Sequence, residues 1–359
     1  MTTSELSRDR QPAPGDPAPG GLGYLVPVWG LVVVFGAVML FWSHHVGIPP
    51  RDPHGSIFWS RIAISYGLFV PLSAADAAWR LVRAEGRGAL SFAATWQVWR
   101  RRWPRRRLLL AAGALLAYHL VYFTYHNLKS WDVLNAPQDA MLLRWDRWLF
   151  LGHSPAVLLH DLLGQGAAHY VLMTVYESFS TIVMIAVVAA VVFVDRIRDG
   201  YVAIASGLWI WVLGVLCYYL IPSLGPFDSA PQEFAGLPHT MIQDTQARYM
   251  GQRAHLLAHP GASDAFAQVS AFASLHVGVT TVVFLMARYY GLRRLTVALG
   301  VFLAGTVVAT VYLGWHFFVD DIAGAFIAWL SVFLGSRMIY YPTGRRPEPA
   351  SARTEEASA

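Results

Sequence analysis

Eight stretches of mostly apolar residues dominate the chain: 22–42, 57–79, 107–126, 168–194, 201–221, 271–290, 295–316 and 317–340. Each is close to the length of about 20 residues that crosses a bilayer. In lipid a segment must satisfy its own backbone hydrogen bonds, so each is expected to be a helix. Only 14% of the 359 residues are charged, where a soluble domain would carry about 25%. The expected fold is therefore all-α, a polytopic membrane helical bundle of about eight transmembrane helices over residues 22–341. The stretch "AMLLRWDRWLFLGHSPAVLLHDLL" (140–163) is too polar to span. It reads as one or two amphipathic helices lying in the membrane interface. Residues 1–21 and 342–359 are rich in Pro, Gly and polar residues and read as disordered tails. The single cysteine, Cys217, excludes a disulfide within the chain.

Basic residues orient the bundle. Nine arginines between the second and third segments, from Arg80 to Arg107, put that connection in the cytoplasm. Alternation then brings Arg196, Arg198, Arg288, Arg293 and Arg294 to the same side, with both termini cytoplasmic. The connections 43–56, 127–167 and 222–270, and the turn near His316, fall outside. The net charge of +5 thus belongs to membrane topology, and no nucleic-acid partner is expected. Lys129 is the only lysine. This arginine bias points to a GC-rich bacterial genome, and so to a bacterial cell membrane.

The last long apolar run contains "YLGWHFFVDD" (312–321). Ionisable groups inside such a segment are expensive unless they are paired or used. "FASLHVG" (272–278) opens the sixth segment from the same outer side. Antiparallel packing of the sixth and seventh segments would bring His276 and His316 to one depth. If helix continues through the motif, His316 and Asp320 share a face. The carboxylate would then orient the imidazole and free its other nitrogen as a nucleophile. His276 would serve as general acid and Ser274 as a hydrogen-bond donor to phosphate. Asp321 turns about 100° away on a helix. Glu177 lies in the outer half of the fourth segment, where lining the cavity and an internal hydrogen bond are both open readings. Together the groups suit phosphoryl transfer through a phosphohistidine.

"FASLHVG" followed by "ATVYLGWHFFVDDIAG" resembles the second and third motifs of the type 2 phosphatidic acid phosphatase superfamily. The resemblance is closest to its inositol phosphorylceramide synthase (aureobasidin-resistance) branch, with S-L-H and Y-L-x-x-H-x-F-V-D. It implies His316 as nucleophile, Asp320 as its orienting partner, His276 as general acid and Ser274 as phosphate contact. It also implies a catalytic core of about 168–340, no metal, no cofactor and an outer loop that roofs the site. The motif arginine is replaced, since Ala309-Thr310 stand in the Ser-Arg position, and no K-x6-R-P first motif is read. The cations must then come from the outer side, from Arg248, Arg253 and Lys129, with Arg144 and Arg147 behind them.

Three classes remain open. One is a phosphotransferase that moves a phospho-head group, phosphoinositol being one, from a phospholipid donor to a lipid or glycan hydroxyl. Another is a lipid phosphatase, and the third a non-catalytic membrane relative. A diester donor carries less charge than a monoester, so the missing arginine favours head-group transfer.

Overall fold

A computed structural model describes residues 21–340; both expected tails lie almost wholly outside the described residues. All regular structure among these residues is helical. The elements are α1 (Leu25–Val46), α2 (Trp59–Glu85), α3 (Phe92–Arg102), α4 (Arg105–Asp132), α5 (Asp139–Leu149), α6 (Pro155–Leu163) and α7 (Ala167–Val192). They continue with α8 (Ile197–Leu220), α9 (Pro226–Ser229), α10 (Met241–Ala258), α11 (Leu275–Tyr289), α12 (Arg293–Tyr312) and α13 (Phe318–Tyr340).

Seven helices among the described residues are long and apolar enough to cross a membrane. The eighth expected span, α11, has only 15 residues, about 22 Å of helix against roughly 30 Å of hydrocarbon. Its outer part is instead an irregular segment, kept at depth by protein partners that meet its backbone needs. Ser130 Oγ accepts from Ala267 N, Ser270 Oγ donates to Asp132, and Ser223 Oγ accepts from Phe272 N. The serines at the ends of α4 and α8 thus hold the chain that leads into α11.

Helix α8 sits at the centre, packed on α13 and α4. Large apolar side chains such as Val33, Val301 and Phe326 point outward, as lipid-facing residues must where the solvent is hydrocarbon. Glycines let the inner helices approach closely. A Cβ on Gly324 of α13 would stand 2.3 Å from the Ser274 carbonyl, and one on Gly278 of α11 would stand 3.2 Å from the Gly324 carbonyl. This backbone contact brings the two histidine motifs to one level.

The two ends of the described chain meet at one face, where Arg198 lies over the rings of Tyr24 and Tyr340 at 5.5 and 4.8 Å. The same arginine-rich face carries α3, a short helix that the sequence reading leaves inside a loop. Its Arg102 ion-pairs with the buried Asp76, which also takes Arg80 at 3.0 Å. The interfacial stretch 140–163 resolves into α5 and α6 at the opposite face.

Candidate active site

The site forms where α12 ends and α13 begins, and the local sequence dictates the break. Gly314 adopts φ 77°, a left-handed conformation natural to glycine that ends helices. The Thr310 carbonyl accepts from Trp315 N and His316 N at 3.0 and 3.2 Å, which satisfies the helix end. His316 therefore lies in the turn expected between the last two apolar segments, and the condition of a helix continuing through the motif is not met. The pairing with Asp320 arises differently, because Asp320 stands in the first turn of α13. Its Oδ2 accepts from Phe317 N at 3.0 Å and lies 3.4 Å from His316 Nδ1. That separation is long for a finished hydrogen bond, and such contacts commonly tighten when substrate binds.

The second carboxylate, Asp321, is buried as well. It accepts from Thr310 Oγ1 at 2.9 Å, and its charge also acts on His316. Thr310 occupies the position of the motif arginine, so a neutral hydroxyl partners Asp321 there. Burial is the main influence on His316 and lowers its pKa to about 4, against the opposing pull of Asp321. The ring is neutral at physiological pH, as an attacking imidazole must be.

His276, in the first turn of α11, faces His316 with ring centroids 5.9 Å apart. Tyr176 stacks on it at 4.3 Å and Phe179 packs at 4.4 Å. Ser274 is the N-cap of α11, its Oγ accepting from Val277 N at 3.4 Å, while its own N–H donates to the Asp320 carbonyl. Ser274 thus ties the two motifs together, and its side chain is fully buried.

Segments on the side away from the arginine-rich face cover the site. Trp315 stacks near Tyr176 at 5.6 Å, with Phe227 and Tyr249 on its other sides at 5.5 and 5.8 Å. Gln246 of α10 donates to the Leu313 carbonyl.

The expected cations divide. Lys129, half-buried near the C-terminal end of α4, lies over the Tyr218 ring at 5.5 Å, and its charge acts on both His276 and His316. Arg248 is exposed and bonds Thr245 at 3.2 Å. Arg253 keeps a buried Nε without a hydrogen-bond partner among the described residues. Arg147 pairs with Glu233 at 3.1 Å, and Arg144 is exposed. Glu177 is exposed as well, within reach of the Arg248 charge.

Sequence reasoning missed three features. Lys129 is followed after six residues by Ala136-Pro137. The first motif is thus present in spacing, with alanine in place of its arginine, and only the search for an intact R-P pair hid it. Arg61 of α2 points inward over Tyr122 at 5.4 Å. With Phe179 it lines a small internal cavity, so one side chain bridges this arginine and His276. The third feature is a carboxylate pair on α5. Asp146 accepts from Phe318 N and Val319 N at 2.8 and 2.9 Å and so caps α13. Asp139 accepts from Leu224 N and Gly225 N. Two turns apart, they share one buried face with Leu142.

A histidine pair with a buried carboxylate thus lies under an aromatic roof, with the half-buried Lys129 acting on both rings. The PAP2 superfamily pattern matches residues 140–334, more than half of the chain. The chain belongs to the PAP2 superfamily. Searches of curated proteins and of solved structures find no match. Membership agrees with a membrane enzyme of the lipid phosphatase and phosphotransferase type. For a PAP2 chain, both arginine positions of the motif patterns hold uncharged residues, Ala136 and Thr310.

Proposed function

We propose that this PAP2 protein transfers a phospho-head group from a phospholipid to a hydroxyl acceptor through a phosphohistidine on His316. The observation that carries the reading is the facing pair of imidazoles, 5.9 Å apart, with a carboxylate 3.4 Å behind one of them. One phosphorus group can be reached by both rings.

In the first step the free nitrogen of His316 attacks phosphorus and forms the P–N bond. The bond from phosphorus to the lipid oxygen breaks, and His276, which takes up a proton when the phosphate anion is bound, gives that proton to the oxygen. In the second step the acceptor hydroxyl attacks phosphorus and passes its proton to His276. The P–N bond breaks and its electron pair returns to His316. Asp320 orients His316 and offsets the positive charge that the ring gains. Lys129 stabilises the phosphoryl oxygens, with Arg253 and Arg248 as further contacts and Ser274 holding the two motifs in register.

The choice of a diester donor rests on charge. A monoester dianion needs more cationic stabilisation than Lys129 with the peripheral Arg248 and Arg253 offers, and a diester monoanion needs less. The inositol phosphorylceramide synthase-like motifs favour phosphoinositol as the group moved. The competing reading is hydrolysis of a lipid phosphate monoester, favoured by the K-x6-x-P spacing around Lys129. The test offers phosphatidylinositol and phosphatidate together to protein reconstituted in vesicles, with and without a long-chain alcohol. Head-group transfer predicts preferential use of phosphatidylinositol and stimulation by the alcohol. Faster release of inorganic phosphate from phosphatidate, indifferent to the alcohol, would establish the phosphatase instead.

A further inference from the structure

Below the histidine pair, toward the arginine-rich face, lies a cavity of about 950 Å³ between α2, α4, α7, α8, α11 and α12. It is separate from the catalytic groups, yet two helical stripes join it to them. On α11, Val279, Val283 and Ala287 line it. They follow His276 at steps of three and four residues and so continue its face. On α7, Val183, Ala186 and Ala190 line it, and they continue the face of Phe179, which packs on His276. Tyr118 and Val183 form a wall shared with the smaller cavity beside Phe179.

The far end is charged. Asp76, Asp195 and Asp199 border it. Asp76 and Asp195 are tied by Arg80 and Arg102, and Arg102 also donates to the Val194 carbonyl at the end of α7. An apolar shaft that begins beneath a phosphoryl-transfer centre and ends on ion pairs fits one kind of occupant. We infer that the cavity receives a hydrocarbon chain of the lipid substrate and that its charged floor limits the length of that chain. The inference rests on the lipid phosphotransfer reading and adds where the chain goes and what selects it. A chain has no hydrophobic reason to leave the bilayer for a protein interior, since lipid tails are as apolar as the walls. Shape decides instead, and one methylene too many in an apolar pocket costs roughly 10-fold or more in specificity.

The chain can belong to the donor or to the acceptor, and the experiment separates the two. Full-length protein in phosphatidylcholine vesicles is photolabelled with phosphatidylinositol bearing a diazirine on a sixteen-carbon acyl chain, and separately with a sixteen-carbon alcohol bearing the same group. Labelling of α7 and α11 near Ala186 and Val283 by one probe is expected, with competition by its unlabelled long-chain form. The probe that labels identifies the source of the chain. Label confined to outward residues such as Val301 and Phe326 would overturn the inference, because it would mark ordinary annular lipid.

The kinetic arm uses Val283→Trp and the milder Ala186→Leu. KM for the dipalmitoyl donor, or for the long alcohol if that probe labels, should rise about tenfold. kcat, and the kinetics of the six-carbon analogue, should stay unchanged. Equal effects on long and short chains, or none, would also refute the inference. Loss of transferase activity in the unmodified protein with intact photolabelling would end the functional reading while leaving the chain site standing.

Discussion

His316, the nucleophile of the proposed reaction, shows what burial does to an imidazole. Its folded-state pKa, about 4, lies below the ordinary imidazole range. The neutral ring therefore contributes stability that is present above that range and is lost as pH falls through about 4. In the free enzyme the same protonation should remove the nucleophile, so the acid limb of kcat/KM should fall near pH 4. Lys129 is the second decisive residue. Lys129→Gln should lower turnover by roughly 10²–10³-fold, the scale on which single charge-stabilising donors act. Arg61→Gln should have a smaller effect, because Arg61 meets His276 only through Phe179. A Lys129→Gln variant that is folded and fully active would remove the lysine from the site. The histidines and aspartates were legible in the sequence because charge in an apolar run is conspicuous. Arg61 was not, because only the fold shows that it points inward.

At the scale of elements, the site depends on how α5, α11 and α13 are held. Asp146 of α5 takes the two N–H groups that open α13, and burial raises its pKa to about 6 against the pull of those donors. A carboxyl raised in the folded state contributes stability at low pH that is lost as pH rises through about 6. The capping bonds run the other way, since they are strongest to the ionised form. Asp146→Ala leaves two orphan donors and should cost about 1–3 kcal/mol, measurable as a lower midpoint of thermal inactivation in detergent. Asp146→Asn, which keeps one acceptor, should lose less. Gly324→Ala is the sharper test of packing. Its Cβ would stand 2.3 Å from the Ser274 carbonyl, so α11 and α13 must separate. Folded protein with at least about tenfold lower turnover is expected, since small misplacements of reacting groups cost that much or more. Unchanged kinetics would show that the glycine contact does not set the register of the histidines. The apolar runs foretold these spans to within a few residues, yet not that α11 begins only at Leu275, because the preceding segment takes its hydrogen bonds from α4 and the chain after α8. The α5 carboxylates look in sequence like the polar side of an interfacial helix; their partners lie 85 and more residues away.

For the whole molecule, both ends of the described chain share the arginine-rich face and the histidine pair lies toward the other. We propose from the distribution of arginines that the first face is cytoplasmic. In a Cys217→Ser background, Ser229→Cys should react with a membrane-impermeant thiol reagent on intact cells, and Ser91→Cys should not. The reverse pattern would place the chemistry at the inner leaflet. The cavity beneath the site belongs to this scale too. It was invisible in the sequence, because its walls come from six helices whose residues read one by one as ordinary membrane core.

The proposed reaction stands or falls on a covalent intermediate on His316. Protein reconstituted with phosphatidylinositol labelled in its phosphate, and without acceptor, would be quenched rapidly in alkali, which spares phosphohistidine. The quenched protein would then be digested and mapped by mass spectrometry. The account predicts an acid-labile, alkali-stable adduct on the peptide containing His316. It should be absent from His316→Gln, slower to form in His276→Ala, and discharged when an alcohol is added. Steady turnover with no adduct at His316, or with the label on another residue, would contradict it.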